Sequence, residues 1–120
     1  MSLLLHDVAW EGDVAGLVSL LDAGNDINER DRPTGSTPLL YACDFDQGGV
    51  VEVLLSRGAD PNIADYGGTT ILHRSAIEGN IWLGRALVAK GAAVDPVTNS
   101  RNTPTHDACY YGKPLMAVWL

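Results

Sequence analysis

Four polar residues of the types used in catalysis stand within six consecutive positions. His73, Arg74, Ser75 and Glu78 are the residue types of a hydrolase or a proton relay. A cluster of this kind indicates an active site if it occurs once, and a structural element if it recurs along the chain. The stretch that contains it, TTILHRSAIEGN (69–80), is therefore compared first with the rest of the sequence.

The stretch recurs. Thr37, Thr70 and Thr103 begin similar segments at an interval of 33 residues, and His6 stands 67 residues before His73 in the related stretch LLLHDVAWEGD (3–13). A second landmark follows each segment in AGNDIN (23–28), RGADPN (57–62) and KGAAVD (90–95). Self-similarity at such a period is the signature of a repeat architecture.

One unit predicts two helices and a loop. Thr37 followed by Pro38 is a helix start, because a threonine hydroxyl can accept a bond from a free backbone N–H and proline suits the first helical position. A second helix with apolar residues spaced three to four apart should begin near Val50 and end at Gly58. The polar loop that follows is rich in turn-forming residues.

The motifs TPLLYAC, TILHRSA, TPTHDAC, LLLHDVA, GADPN and ADYGGTT resemble the ankyrin repeat. The resemblance covers nearly the whole chain and implies an all-α solenoid of stacked antiparallel helix pairs with projecting β-hairpin-like loops. It implies a single domain over 1–120, with repeats at about 1–34, 35–67 and 68–100 and a partial fourth at 101–120. GAAVD and the third loop, PVTNSRN, depart from the family pattern.

The repeat assigns the opening cluster to the scaffold. His6, His73 and His106 share one repeat position, which Leu40 fills in the second repeat. The resemblance implies that this histidine hydrogen-bonds within and between turns, and we expect no catalytic residue. Arg74 and Asp107 share the next position in adjacent repeats, so either a lateral ion pair or two separately solvated charges is expected.

No cofactor or metal site is expected. Cys43 and Cys109 lie two repeats apart, beyond the reach of a disulfide, and should be small buried hydrophobic residues. The sequence contains neither a CxxC motif nor a phosphate-binding glycine loop. Asn62 stands at a position that is hydroxylated in some ankyrin proteins, and we expect it to hydrogen-bond its own loop.

Charge argues against nucleic acid and anionic membranes as partners. The net charge is −7, and residues 1–60 carry 11 acidic against 3 basic residues. A basic partner surface that meets the N-terminal half is easier to justify. The opening MSLLLHDVAW has no basic region and only three consecutive leucines, so no signal peptide is expected. With two cysteines, a cytoplasmic or nuclear location is the expectation.

The residues expected to bind a partner protein follow from repeat position. The resemblance implies that the two residues before the central glycine of each unit face the concave, partner-facing surface, and that the loop tips add to it. Each pair contains at least one large apolar or aromatic residue, which is typical of an interaction patch. The candidates are Trp10, Glu11, Asp44, Phe45, Ile77, Glu78, Tyr110 and Tyr111 on this surface, with Arg32 and Tyr66 in the loops.

Three functions are compatible with these patterns to different degrees. A non-enzymatic protein-binding module is favoured. A self-associating domain is the alternative, because KPLMAVWL (113–120) should leave Met116, Trp119 and Leu120 exposed at the C-terminal end. The other alternative is a targeting domain of a larger protein whose catalytic part lies elsewhere. An enzyme is the least favoured, since no titratable cluster converges outside equivalent repeat positions.

Overall fold

The computed structural model describes residues 4–120, so residues 1–3, part of the segment used to argue against a signal peptide, lie outside it. The described chain is all-helical and forms an ankyrin-type solenoid, which confirms the predicted fold class. The helices are α1 Leu4–Glu11, α2 Val14–Asp22, α3 Pro38–Asp44, α4 Gly48–Ser56, α5 Ile71–Glu78, α6 Ile81–Ala89, α7 Pro104–Tyr110 and α8 Pro114–Trp119.

The predicted helix starts are confirmed. The side chains of Thr37, Thr70 and Thr103 each accept a hydrogen bond from the backbone N–H three residues later, which satisfies one of the donors that a helix start leaves free. Pro38 and Pro104 occupy the first helical position, where the missing N–H costs nothing.

The helices pack in two rows. The inner row consists of α1, α3, α5 and α7, each of which packs on the next, and the outer row consists of α2, α4, α6 and α8. In the outer row α2 packs on α4 and α6 packs on α8, whereas the backbones of α4 and α6 approach each other less closely. The core between the rows is aliphatic, and Leu54, Leu72 and Leu87 are fully buried in it.

His6 and His73, which share one repeat position, connect successive repeats. His6 Nε2 donates to the Ser36 carbonyl oxygen at 2.7 Å, and His73 Nε2 donates to that of Asn102 at 2.9 Å. His73 Nδ1 accepts from the Thr70 backbone N–H at 3.1 Å, so the ring accepts within its own repeat and donates to the next one. Leu40 has no such donor, so the contact between the second and third repeats lacks this bond.

The loops are tied to one another across the repeats. The Tyr66 backbone N–H donates to the Thr34 carbonyl, and that of Asn99 to the Gly67 carbonyl, both at 2.9 Å. The expectation that Asn62 bonds its own loop is wrong. Its Oδ1 accepts from the Ala93 backbone N–H at 2.8 Å and its Nδ2 donates to the Gly91 carbonyl, because the next loop offers both groups.

The lateral ion pair between Arg74 and Asp107 is not formed. Arg74 instead donates to the Asp44 carboxylate and, at 2.8 Å, to Asp65 Oδ2. It therefore pairs with the preceding repeat, where two carboxylates stand within reach, while Asp107 is buried on the other side. Both ion pairs are partly buried, so the cost of removing the charges from water offsets part of their attraction.

One of the two cysteine expectations is wrong. Cys43 is buried, as expected, in the floor of a groove between the second and third repeats. Cys109 is exposed, because the part of the chain that the structure describes has no helix pair beyond α8 to cover the equivalent position.

The expected exposure of the C-terminal segment is wrong in detail. Met116 is fully buried, and Trp119 and Leu120 are partly buried. Gly84 of α6 explains this, since a Cβ there would lie 2.8 Å from Met116 Cε and 3.0 Å from the Trp119 ring. The exposed apolar residues of α8 are instead Leu115 and Val118. Self-association through this end stays a prediction.

Candidate partner-binding surface

The candidate residues of the inner row lie at the carboxyl ends of its four helices. Each helix contributes its last one or two residues or the residue that follows it, and we call the set the helix-end surface. It comprises Trp10, Glu11, Asp44, Phe45, Ile77, Glu78, Tyr110 and Tyr111.

An aromatic cluster forms the part of this surface nearest the N-terminus. The ring centroids of Trp10 and Phe45 are 5.5 Å apart, and that of Tyr41 lies 6.5 Å from Phe45. Trp10 and Phe45 each keep about half of their area exposed, at 51% and 49%. Tyr41 is partly buried, lies against Phe45 and touches the His6 ring. Phe45 is therefore held between Tyr41 and Trp10, and the two exposed rings stay in contact with each other.

A second aromatic pair lies at the other end. The rings of Tyr110 and Tyr111 meet edge to face at a centroid distance of 5.0 Å, and Tyr110 is 82% exposed. Ile77 of the intervening helix is partly buried. Among residues 4–120 no aromatic contact joins Phe45 to Tyr110, so the surface consists of two aromatic clusters separated by Ile77.

Acidic residues occupy the ends of three inner-row helices. Glu11, Asp44 and Glu78 are the last residues of α1, α3 and α5, where the helix dipole is already negative, and none of these helices has a basic residue in its last turn. Burial, followed by repulsion from Asp46 and Asp44, raises the pKa of Glu78. The surface is thus negative, and its carboxylates lie at helix ends where the helix dipole makes a negative charge unfavourable.

Replacing Glu78 with glutamine is expected to stabilise the isolated domain at pH 7. Because the folded state raises the pKa of this carboxyl, the unfolded state releases its proton more readily, and the charged form costs stability once the pH exceeds the ordinary range of a glutamate. The gain should vanish in acid, where both states are protonated. Urea unfolding at pH 7 and pH 4 measures it.

Glu11→Gln is the matched control, since Glu11 occupies the equivalent repeat position at the exposed end of α1. It should change the free energy of unfolding by no more than about 0.5 kcal/mol at either pH. A Glu78→Gln variant that is no more stable than the wild type at pH 7 would contradict the described electrostatics.

Two candidates lie in the loops. Arg32 is exposed. Tyr66 is 57% exposed, yet it is fixed from two sides: the guanidinium of Arg30 lies 5.2 Å from its ring centroid, and its ring contacts Gly35 so closely that a Cβ there would lie 2.5 Å away. Gly35 also has a φ of 73°, which glycine adopts without strain.

Sequence reasoning missed several residues that position these side chains. Tyr41 and Asp65 were not among the candidates. Tyr41 packs against Phe45, and Asp65 forms an ion pair with Arg74, which also pairs with Asp44. The position of Tyr41 is filled by Asp7, Arg74 and Asp107 in the other repeats, so repeat position does not predict an aromatic contact there. Burial, then the charges of Glu78 and Asp44, raises the pKa of Cys43 to about 12, so this thiol stays protonated.

Within residues 4–120, no three His, Cys, Asp or Glu side chains are grouped so that they could hold a metal ion. The helices of the same residues are all too short to cross a membrane.

Comparison with known proteins gives the class and then the family. The architecture is a helical repeat solenoid with a row of helix ends on its surface. A family model described as ankyrin repeats (3 copies) matches residues 5–98 and 49–120, and the chain belongs to the ankyrin repeat family. Ankyrin repeats are generally non-catalytic protein–protein interaction modules.

Three relatives illustrate the range of proteins that contain similar repeats. The chain is 34% identical to inversin from Gallus gallus over 72% of its own length, and 34% identical to the B-cell lymphoma 3 protein homolog from Mus musculus over 73%. It is 42% identical over 65% to the ADP-ribosylation factor GTPase-activating protein AGD2 from Arabidopsis thaliana. The matches span 8%, 20% and 10% of these relatives, respectively.

Proposed function

We propose that this chain binds a partner protein through the helix-end surface, with Arg32 and Tyr66 adding contacts from the loops. The observation that carries the proposal is that exposed aromatic rings and carboxylates lie next to each other at helix ends. Trp10 and Phe45 are half exposed, and Glu11 and Asp44 stand beside them at the negative ends of α1 and α3. Solubility does not favour the exposed rings, and helix stability does not favour carboxylates at the carboxyl ends of helices.

The chemistry of the surface selects a partner that is both apolar and basic. Exposed tryptophan and tyrosine rings bury large areas at a small cost in conformational entropy. Glu11 and Glu78, which form no ion pair within residues 4–120, favour lysine or arginine on the partner and speed encounter with it. Because Tyr41 and Gly35 already hold Phe45 and Tyr66 in place, binding should require little reordering.

Capture from a cell lysate with matched variants tests the proposal. The binding-surface variant combines Phe45→Ala, Ile77→Ala and Tyr110→Ala. The control combines Leu115→Ala and Val118→Ala, which removes two exposed apolar side chains from α8. Circular dichroism establishes that both variants fold. We expect the wild type and the control to retain the same protein and the binding-surface variant to lose at least about tenfold in affinity.

Loss in the control alone would contradict the proposal. It would favour the second candidate, association through the exposed Leu115 and Val118 of α8, either with another copy of the chain or with a further part of a larger protein. Equal retention by all three proteins would also contradict it, since the triple substitution removes both ends of the helix-end surface.

A further inference from the structure

The contact between the second and third repeats is open on its outer side. A groove of about 490 Å³ lies between α4 and α6, the neighbouring outer-row helices whose backbones approach each other least. Val51 and Leu55 line one wall, and Leu83 and Ala86 line the other. Ala86 occupies the position that Val53 fills one repeat earlier, so a smaller side chain leaves this space unfilled.

The groove has the shape of a site for an extended element. It is lined from Gly48 to Ser56 along α4 and from Asn80 to Lys90 along α6. Helices of nine residues are about 13 Å long, which matches two to three turns of a bound helix. Trp82, which is 84% exposed, stands at its edge as an apolar residue without cover.

The charges around the groove are one-sided. Asp46, Glu52 and Glu78 line it, against one cation, Lys90. None of these three carboxylates takes part in a salt bridge within residues 4–120. A ligand that contributes cations would therefore find unpaired carboxylates beside an apolar floor.

Asp46 occupies a backbone position that glycine fills in the other repeats. Its φ is 59°, and the equivalent residues Gly12, Gly79 and Gly112 have φ values of 78°, 72° and 67°. An aspartate pays a conformational cost in this left-handed region that glycine avoids. The second repeat therefore places a carboxylate at the mouth of the groove at the expense of local stability, as functional sites often do.

We propose that the groove between α4 and α6 binds a short amphipathic helix of a partner protein, whose apolar face enters the groove and whose lysine or arginine residues meet Asp46, Glu52 and Glu78. This second interface is independent of the function proposed above, except that Glu78 borders both surfaces. Ala86, Asp46 and Glu52 do not belong to the helix-end surface. Substitutions of these residues therefore test the groove without removing a residue of that surface.

The test uses a fluorescent peptide of about 14 residues with leucine at positions spaced three and four apart and lysine elsewhere, together with a matched peptide that carries glutamate in place of lysine. Fluorescence anisotropy measures binding to the folded protein. Ala86→Leu fills the groove and should lower the affinity for the lysine peptide at least about tenfold. Ala89→Leu, the same change at an exposed position of α6 that does not line the groove, should change binding by less than about twofold.

Asp46→Gly separates binding from folding. It replaces a strained residue with the glycine of the other repeats, so thermal stability should be maintained or raised while binding of the lysine peptide falls by about three- to tenfold. Asp95→Asn removes a charge outside the groove and should leave binding within about twofold. The indole N–H resonance of Trp82 should shift on binding, and that of Trp10 should not.

Several results would overturn the proposal. They are undetectable binding by the wild type at about 1 mM peptide, equal binding by Ala86→Leu, equal binding of the glutamate peptide, or a shift at Trp10 in place of Trp82. A monomer–dimer equilibrium in sedimentation that Ala86→Leu abolishes would assign the groove to a second copy of the chain and would overturn the assignment to a foreign helix.

Discussion

Replacing His73 with alanine is expected to lower the free energy of unfolding by about 3 kcal/mol. His73 is fully buried. Its ring bonds the Asn102 carbonyl of the following repeat at 2.9 Å and the Thr70 backbone N–H of its own repeat at 3.1 Å. Alanine would leave both backbone groups without this partner and would open a cavity between repeats. Urea unfolding, followed by circular dichroism and tryptophan fluorescence, measures the loss.

His106 supplies the matched control, because it has the same bonds to Thr103 that His73 has to Thr70. It is exposed, and no hydrogen bond from its Nε2 to a following loop occurs in the described part of the chain. His106→Ala should therefore cost no more than about 1 kcal/mol. Equal losses at the two positions would contradict the role of His73 as a connection between repeats.

Replacing Asp31 with asparagine is expected to cost about 2 kcal/mol at pH 7 and almost nothing at pH 2. Burial alone would raise the pKa of Asp31, but hydrogen bonds from Tyr41, Thr34 and Ser36 outweigh it and lower the pKa from 3.8 to about 2. Its Oδ1 accepts from the backbone N–H groups of Thr34 and Ser36, both at 3.0 Å, and Oδ2 accepts from the Tyr41 hydroxyl.

The direction of this pH dependence follows from the lowered pKa. A carboxyl that is more acidic when folded stabilises the protein above the pKa of the unfolded state, and this contribution is lost as the pH falls from about 4 towards 2. The difference in unfolding free energy between wild type and Asp31→Asn should shrink over that interval. Asp95→Asn, at an exposed position, should show no such change, and a constant difference for Asp31→Asn would contradict the assignment.

The sequence predicts the repeated features of this fold because they follow from short-range chemistry. Thr37, Thr70 and Thr103 cap helices through bonds that span three residues, and the histidine position follows from its spacing to these caps. Features decided by the distance between repeats are not predictable in this way. Arg74 could reach a carboxylate on either side, and only the packed structure decides for Asp44 and Asp65.

The same limit applies to the candidate surfaces. Repeat position places Phe45 and Tyr110 at helix ends, but the contact of Phe45 with Trp10 depends on how the first two repeats stack. The groove arises from Ala86 and from the poor contact of α4 with α6, which a pattern of apolar residues does not predict. One feature of the groove is visible in the sequence: Asp46 stands at the position of a left-handed turn that glycine fills in the other repeats.

The most direct test of partner binding through the helix-end surface is site-specific photocrosslinking. A benzophenone amino acid is placed at Phe45 or Tyr110, where it replaces one exposed aromatic ring with another, and at Arg85 on the exposed side of the outer helix α6 as the control. Irradiation in lysate should give a covalent adduct of one partner protein from positions 45 and 110 and none from position 85. An adduct from position 85 alone, or capture of the partner without an adduct at 45 or 110, would contradict binding through this surface.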